Sequence, residues 1–302
     1  MKIPNRSGWI FALALTAAVL LATPAEAHPG SGIVVDRHGQ VYFVDTGSGV
    51  WKIGAQGKLT RVPGNAFHWM TIDTDDRFAT VRLPSGSDWE FARAGANPTL
   101  LLSSDFPVAV GRDGNLYYPL FDPGSGLRIL RLAPSGQSSV LASLPTEKSK
   151  EAKERLRWIN GLAAAPDGSL YYTEDNAIRQ ITARRISTVV AGISLSGCVS
   201  VPGMEESGRP YFRGLDVDAR GTVYVAATGC GSVLKITPDR KVTTLVQLQS
   251  PWSPTGVAFF GGDLYVLEYL HTASDNRREW LPRVRKISPD GQTALIATID
   301  RR

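Results

Sequence analysis

The chain has 302 residues, a formal net charge of +5 and 43% hydrophobic residues. That hydrophobic content supports a packed core and excludes a disordered polymer. Its basic residues are scattered, with no basic stripe carrying interleaved aromatics, which excludes a nucleic-acid surface.

At the start, Lys2 and Arg6 precede an apolar run from Trp9 to Ala22, and Ala25-Glu26-Ala27 is a small-x-small cleavage signal. This order predicts a secretory leader cleaved after Ala27, leaving His28 first and a single domain over 28–302. The run is too short to cross a bilayer comfortably, and no later segment reaches the roughly 18 apolar residues a membrane helix needs. The expectation is an exported protein, periplasmic or secreted, monomeric and without a membrane span.

Six segments then repeat one order: an apolar run, a tight turn, a second run rich in tyrosine, a polar turn and two more short runs. They begin near Gly32, Trp69, Pro107, Asn160, Arg213 and Thr255. The clearest are "GSGIVVDRHGQVYFVDTG" (30–47), "WINGLAAAPDGSLYYTED" (158–175) and "FRGLDVDARGTVYVAATG" (212–229). Their first turns include His38-Gly39, Asp76-Arg77, Asp113-Gly114, Asp167-Gly168 and Arg220-Gly221. Most supply the glycine that a hairpin or bulge needs at positive φ.

Two hairpins per segment make four antiparallel strands, and helical periodicity is nearly absent. An open sheet of so many strands would far exceed the usual limit of about ten. The predicted fold is therefore all-β, a six-bladed β-propeller of four-stranded blades around a central channel. Between the third and fourth blades, "EKSKEAKERLR" (147–157) reads as a short solvated helix. In the last blade, "LHTASDNRREWLP" (270–282) reads as a lid over the channel, and "TALIATI" (293–299) as the outer strand, without interleaving of the chain ends.

Propeller connectivity puts the tight inner hairpins on one face and every long segment on the other. A ligand site is expected at the channel mouth of the long-loop face, drawn from His68, Asn160, Arg213, Glu174, Glu268 and Tyr269. Cys198 and Cys230 fall on that face of neighbouring blades, and an even cysteine count in an exported chain predicts a disulfide between them. Asp36, Asp73, Asp216 and Asp218 read as caps bonding the hairpin backbone.

The segments "GIVVDRHGQVYFVDTGSGVWKI" and "GLDVDARGTVYVAATGCGSVLKIT" resemble NHL repeats. Most of residues 30–299 resembles the six-bladed propellers of the senescence-marker/gluconolactonase and strictosidine-synthase type. For gluconolactonase-like members the resemblance implies a divalent cation, Ca²⁺ or another, held in the channel. Its ligands would be a Glu on the first inner strand, an Asn in an S-N-G-L-type motif and an Asp one blade later. Here "INGL" (159–162) supplies Asn160, whereas the other positions read "GSGI" (30–33), with no acid, and "FRGL" (212–215), with Arg213 in the acid's place.

Asn160 therefore reads either as a metal ligand or as a hydrogen-bonding group between inner strands. Arg213 would hold a carboxylate or phosphate of a ligand, or pair with Glu174 next door. Glu174 and Glu268 would act as general bases if burial raised their pKa. Together these residues point to a propeller that binds a small, anionic ligand or a protein partner at the channel mouth. A gluconolactonase-like hydrolase or lyase is the alternative, and a protein–protein scaffold the second.

Overall fold

The computed structural model describes residues 29–86, 89–95, 97–122, 126–144, 159–174, 176–195, 198, 209–270 and 280–300. The predicted leader with its cleavage site, the 147–157 helix and most of the 270–282 lid lie outside them. Within them every regular element is a strand apart from one 3-10 turn, Thr228–Cys230. The strands form six antiparallel sheets in chain order: blades 1 (33–62), 2 (69–103), 3 (109–143), 4 (159–191), 5 (212–247) and 6 (252–298).

The hairpin chemistry read from the sequence explains the repeat. In blade 1, Gly39 takes φ 75° and its N–H donates to Asp36 O, while Asp36 Oδ1 accepts from His38 N–H and Gln40 N–H. Blade 5 repeats this with Gly221 and Asp218, whose Oδ1 accepts from Arg220 N–H and Thr222 N–H. A short polar side chain thus caps each turn and fixes its register.

Each inner strand contacts the next around a closed circuit: Ile33–Val35, Trp69–Asp73, Ala109–Val110, Ile159–Ala164, Phe212–Val217, Trp252–Phe260 and back to the first. The apolar core lies between blades rather than within one. Ala163, Ile178, Leu215 and Val225 pack blade 4 on blade 5, and Phe43, Met70, Leu102, Tyr265 and Val284 join blades 6, 1 and 2. Blade 6 takes its outer strand, Thr293–Thr298, from the end of the chain, and the two ends do not interleave.

Blade 2 departs from the repeat. Among the described residues it has three strands, and Thr99–Ser103 pairs directly with the inner strand Trp69–Asp73. The segment after Asp76-Arg77 does not return as a second strand. Phe78 is fully buried, its N–H donates to Asp73 Oδ2 at 2.6 Å, and its carbonyl accepts from Arg93 Nε at 2.7 Å. A side chain therefore takes the ladder acceptor, and Pro84 removes a ladder donor soon after.

Cys198 and Cys230 are disulfide-bonded, with a Cα–Cα distance of 4.2 Å. The bond ties the crossing between blades 4 and 5 to the fully buried Cys230, closing a separation of 32 residues. Reduction is expected to cost about 3–4 kcal/mol in the chain-entropy account. Melting curves with and without a thiol reductant, and of Cys230→Ser, would show the drop.

Candidate functional site

Near the start of four inner strands, Ser31, Asn160, Arg213 and Thr255 each precede a glycine. Those glycines let neighbouring strands approach: a Cβ on Gly161 would lie 2.3 Å from Arg213 O, and one on Gly256 2.2 Å from Ser31 O. Close approach of the blades therefore explains the "NGL" and "RGL" patterns, and it brings their polar neighbours to one end of the channel.

That end is bridged. Trp69 Nε1 of blade 2 donates to Asn160 O of blade 4 at 3.2 Å. Arg213 Nη2 of blade 5 donates to Pro29 O, just ahead of blade 1, at 2.6 Å. Thr255 Oγ1 donates to Gly30 O at 2.6 Å, and His68 O accepts from Ser31 N–H and Gly32 N–H. Asn160 is 6% exposed and Arg213 5% exposed.

Among the described residues no carboxylate pairs with Arg213. Its Nε, like Asn160 Nδ2 and Ser31 Oγ, is buried without a hydrogen-bond partner. Burial holds the Arg213 guanidinium pKa below its ordinary value. These are donors poised for an acceptor that the described protein does not supply.

The other expected site residues are engaged elsewhere. Glu174 pairs with Arg179 (3.1 Å) and not with Arg213. Glu268 is fully buried, with one oxygen on Arg283 Nε and the other on Arg285 Nε, both at 2.5 Å. Arg283 also lies 3.6 Å over the Trp252 ring. Tyr269 donates its hydroxyl to Val44 O at 2.8 Å, joining blade 6 to blade 1, and burial raises its pKa. His68 Nδ1 meets Ser104 O. The structure thus gathers Asn160 and Arg213, keeps His68 at the same rim through its backbone, turns Glu268 to an ion-pair network within blade 6, and turns Tyr269 to joining blade 6 to blade 1.

The divalent cation implied by the resemblance fits these residues poorly. A hard cation takes six to eight oxygen ligands, usually with carboxylates among them. Here a buried guanidinium stands beside Asn160, and among the described residues no three His, Cys, Asp or Glu side chains converge.

Beneath the bridged end the inner strands enclose a channel of about 180 Å³. Asp216, read from the sequence as a turn cap, instead lines this channel. Its Oδ1 accepts from its neighbour Val217 N–H (2.8 Å), and its Oδ2 from Phe259 N–H of blade 6 (2.7 Å). Equivalent positions in the other blades are Val34, Thr71, Ala109, Ala163 and Ala258, and Thr71 Oγ1 likewise accepts from Val110 N–H of the next blade. The signal available in the sequence was this alignment: a carboxylate where the other blades carry Val, Thr or Ala.

Burial pushes the Asp216 carboxyl up to about 6, with the charge of Asp218 adding to the effect. The folded protein therefore holds this proton more tightly than the unfolded chain, whose ordinary value is about 3.9. Asp216 favours folding most below about pH 4, and its contribution falls as pH rises from about 4 to 6. Asp216→Asn is expected to flatten that part of the profile, checked by denaturant midpoints of both proteins from pH 4 to 7.

Six blades packed in a closed ring around a narrow channel, bridged at one end, define a six-bladed β-propeller. The chain belongs to the SMP-30/gluconolactonase/LRE-like family, whose profile matches residues 108–273. No curated protein matches the sequence. Among solved structures, a luciferin-regenerating enzyme aligns over 87% of this chain and 93% of its own, at 16% identity and a TM-score of 0.51. Virginiamycin B lyase from Staphylococcus aureus covers 93% and 87% at 15% identity, with a TM-score of 0.47. The calcium-binding protein regucalcin from Agrobacterium tumefaciens covers 80% and 82% at 14%, with a TM-score of 0.49. At 16% identity the likeness to the luciferin-regenerating enzyme bears on fold alone. No helix among the described residues is long and apolar enough to cross a membrane.

Proposed function

We propose that the protein is an exported, monomeric propeller that binds a small ligand bearing a carboxylate or phosphate. Arg213 and Asn160 would hold the anion at the bridged end of the channel. The observation that carries this reading is the buried Arg213 guanidinium, without a carboxylate among the described residues and with Nε lacking an acceptor. A charge removed from water costs several kcal/mol unless a counter-charge meets it, and a planar guanidinium fits an oxyanion with two parallel bonds. Asn160 Nδ2 and Ser31 Oγ supply the neighbouring donors. The leader signature and the disulfide support export.

Family membership supports a second reading, a gluconolactonase-like hydrolase or lyase with a rebuilt site. One panel tests both. Small carboxylates, organic phosphates and lactones are screened by calorimetric titration and for turnover. Saturable anion binding without turnover supports the first reading, turnover of a lactone supports the second, and the absence of either removes both.

A further inference from the structure

The part of the channel beneath Asn160 and Arg213 differs from the bridged end in chemistry. Among the described residues lining it, Asp216 is the charged one, and no cationic partner is found for it there. Alternation along an antiparallel strand adds acceptors. Val44 N–H donates to Gly32 O and Asp36 N–H to Gln40 O, so the intervening Val35 turns its N–H and C=O away from the ladder, toward the axis. Asp218 and Gly111 make the matching ladder bonds in blades 5 and 3, which turns Val217 and Val110 inward the same way. Phe259 N–H reaches Asp216 across the blade boundary and marks the same orientation in blade 6.

The channel therefore presents one fixed carboxylate among inward carbonyls, at a level where Ala109, Ala163 and Ala258 leave room. The neighbouring Val35, Ile72, Val110 and Ala164 are part-exposed, whereas Ser31, Asn160 and Arg213 are buried, so the channel meets solvent on the hairpin side. Its volume, about 180 Å³, exceeds the roughly 150 Å³ that holds benzene in an engineered cavity.

We propose that this channel is a binding site for a small primary ammonium ion, its N–H groups donated to Asp216 and to inward carbonyls and its alkyl chain laid along the Val and Ala walls. An ammonium has three donors and needs about three acceptors. A divalent cation would need more carboxylates than the single one here. Asp216 keeps lone pairs for this role, because each oxygen accepts one backbone N–H and a carboxylate offers about four acceptor positions.

Binding requires the ionised carboxylate, so affinity rises with pH through the Asp216 titration. The titratable groups whose charges reach Asp216 are Asp218, in the turn just after its strand, and Tyr224, on the paired strand. Asp218 is turned to Arg220 and the hairpin backbone. The flanking inner strands Ile159–Ala164 and Trp252–Phe260 carry no titratable side chain.

The test is titration of the whole protein with n-butylammonium chloride, followed by the amide resonance of Phe259, whose N–H is bonded to Asp216. The expected result is a saturable shift at neutral pH, absent with n-butanol and with NaCl or CaCl₂ at matched ionic strength. It should be lost near pH 4.5 and weakened at least about tenfold in Asp216→Asn, with carboxylate binding at Arg213 retained. No shift, an equal shift with butanol, a shift that survives Asp216→Asn or acid, or tighter binding of Na⁺ or Ca²⁺ would each overturn the proposal. Should Asp216→Asn fail to fold, the butanol and salt arms on the unaltered protein decide.

Discussion

Arg213→Met is expected to weaken binding of a small carboxylate by a hundredfold or more while leaving the unliganded protein as stable as before, or more so. Two charge-assisted hydrogen bonds contribute about 1.5–3 kcal/mol each, and about 1.4 kcal/mol corresponds to a factor of ten. The unliganded protein behaves differently because its guanidinium is buried with Pro29 O as its one described acceptor. An apolar side chain of similar length removes that desolvation cost, and such replacements are often neutral or stabilising. Arg213→Lys should fall between, keeping charge without the two-pronged geometry. Titration calorimetry and thermal melts of the three proteins separate the effects. A large fall in melting temperature with unchanged ligand affinity would make Arg213 a peg for the Pro29 segment instead.

Glu268→Ala is expected to be the most destabilising single change, at about 3–5 kcal/mol, or roughly 10 °C in melting temperature for a chain of this size. The carboxylate is fully buried between Arg283 and Arg285, so its removal leaves two guanidinium groups facing each other without a counter-charge. Arg285→Met in the same chain should recover part of the loss, since the two changes act on one network. Lost turnover with an unchanged melting temperature would instead assign Glu268 to chemistry.

The fold was legible because turn chemistry is local. Asp36-x-x-Gly39 and Asp218-x-x-Gly221 hold their hairpins through bonds spanning a few residues, so the spacing of blades is written in the chain. Blade 2 was not legible. The displacement of its second strand depends on Arg93 reaching Phe78 O and on Thr99–Ser103 pairing with a strand far behind it, both of which are tertiary events. The cysteine pairing followed from placing both residues on one face of neighbouring blades, and the bond is present.

At the site, the departure at Arg213 from the family's acid was visible in "FRGL", but its burial and its bond to Pro29 were not. Glu268 and Tyr269 were read as lining a mouth because both follow a predicted strand. In the structure they lie within that strand, where burial selects partners from adjacent strands and the neighbouring blade. Asp216 was read as a twin of Asp218 two residues away. The two diverge because Asp218 meets its own turn, while Asp216 meets the backbone of blade 6.

Because no strand is shared between the chain ends, every blade is cut from one unbroken length of polypeptide. Five junctions can be assembled in order as the molecule elongates, each new sheet settling on its predecessor. The sixth, where Tyr269 meets Val44 and Thr255 meets Gly30, must wait for the final sheet. Until then two apolar flanks stand uncovered, and a handful of side-chain bonds acts as the clasp that shuts the circle.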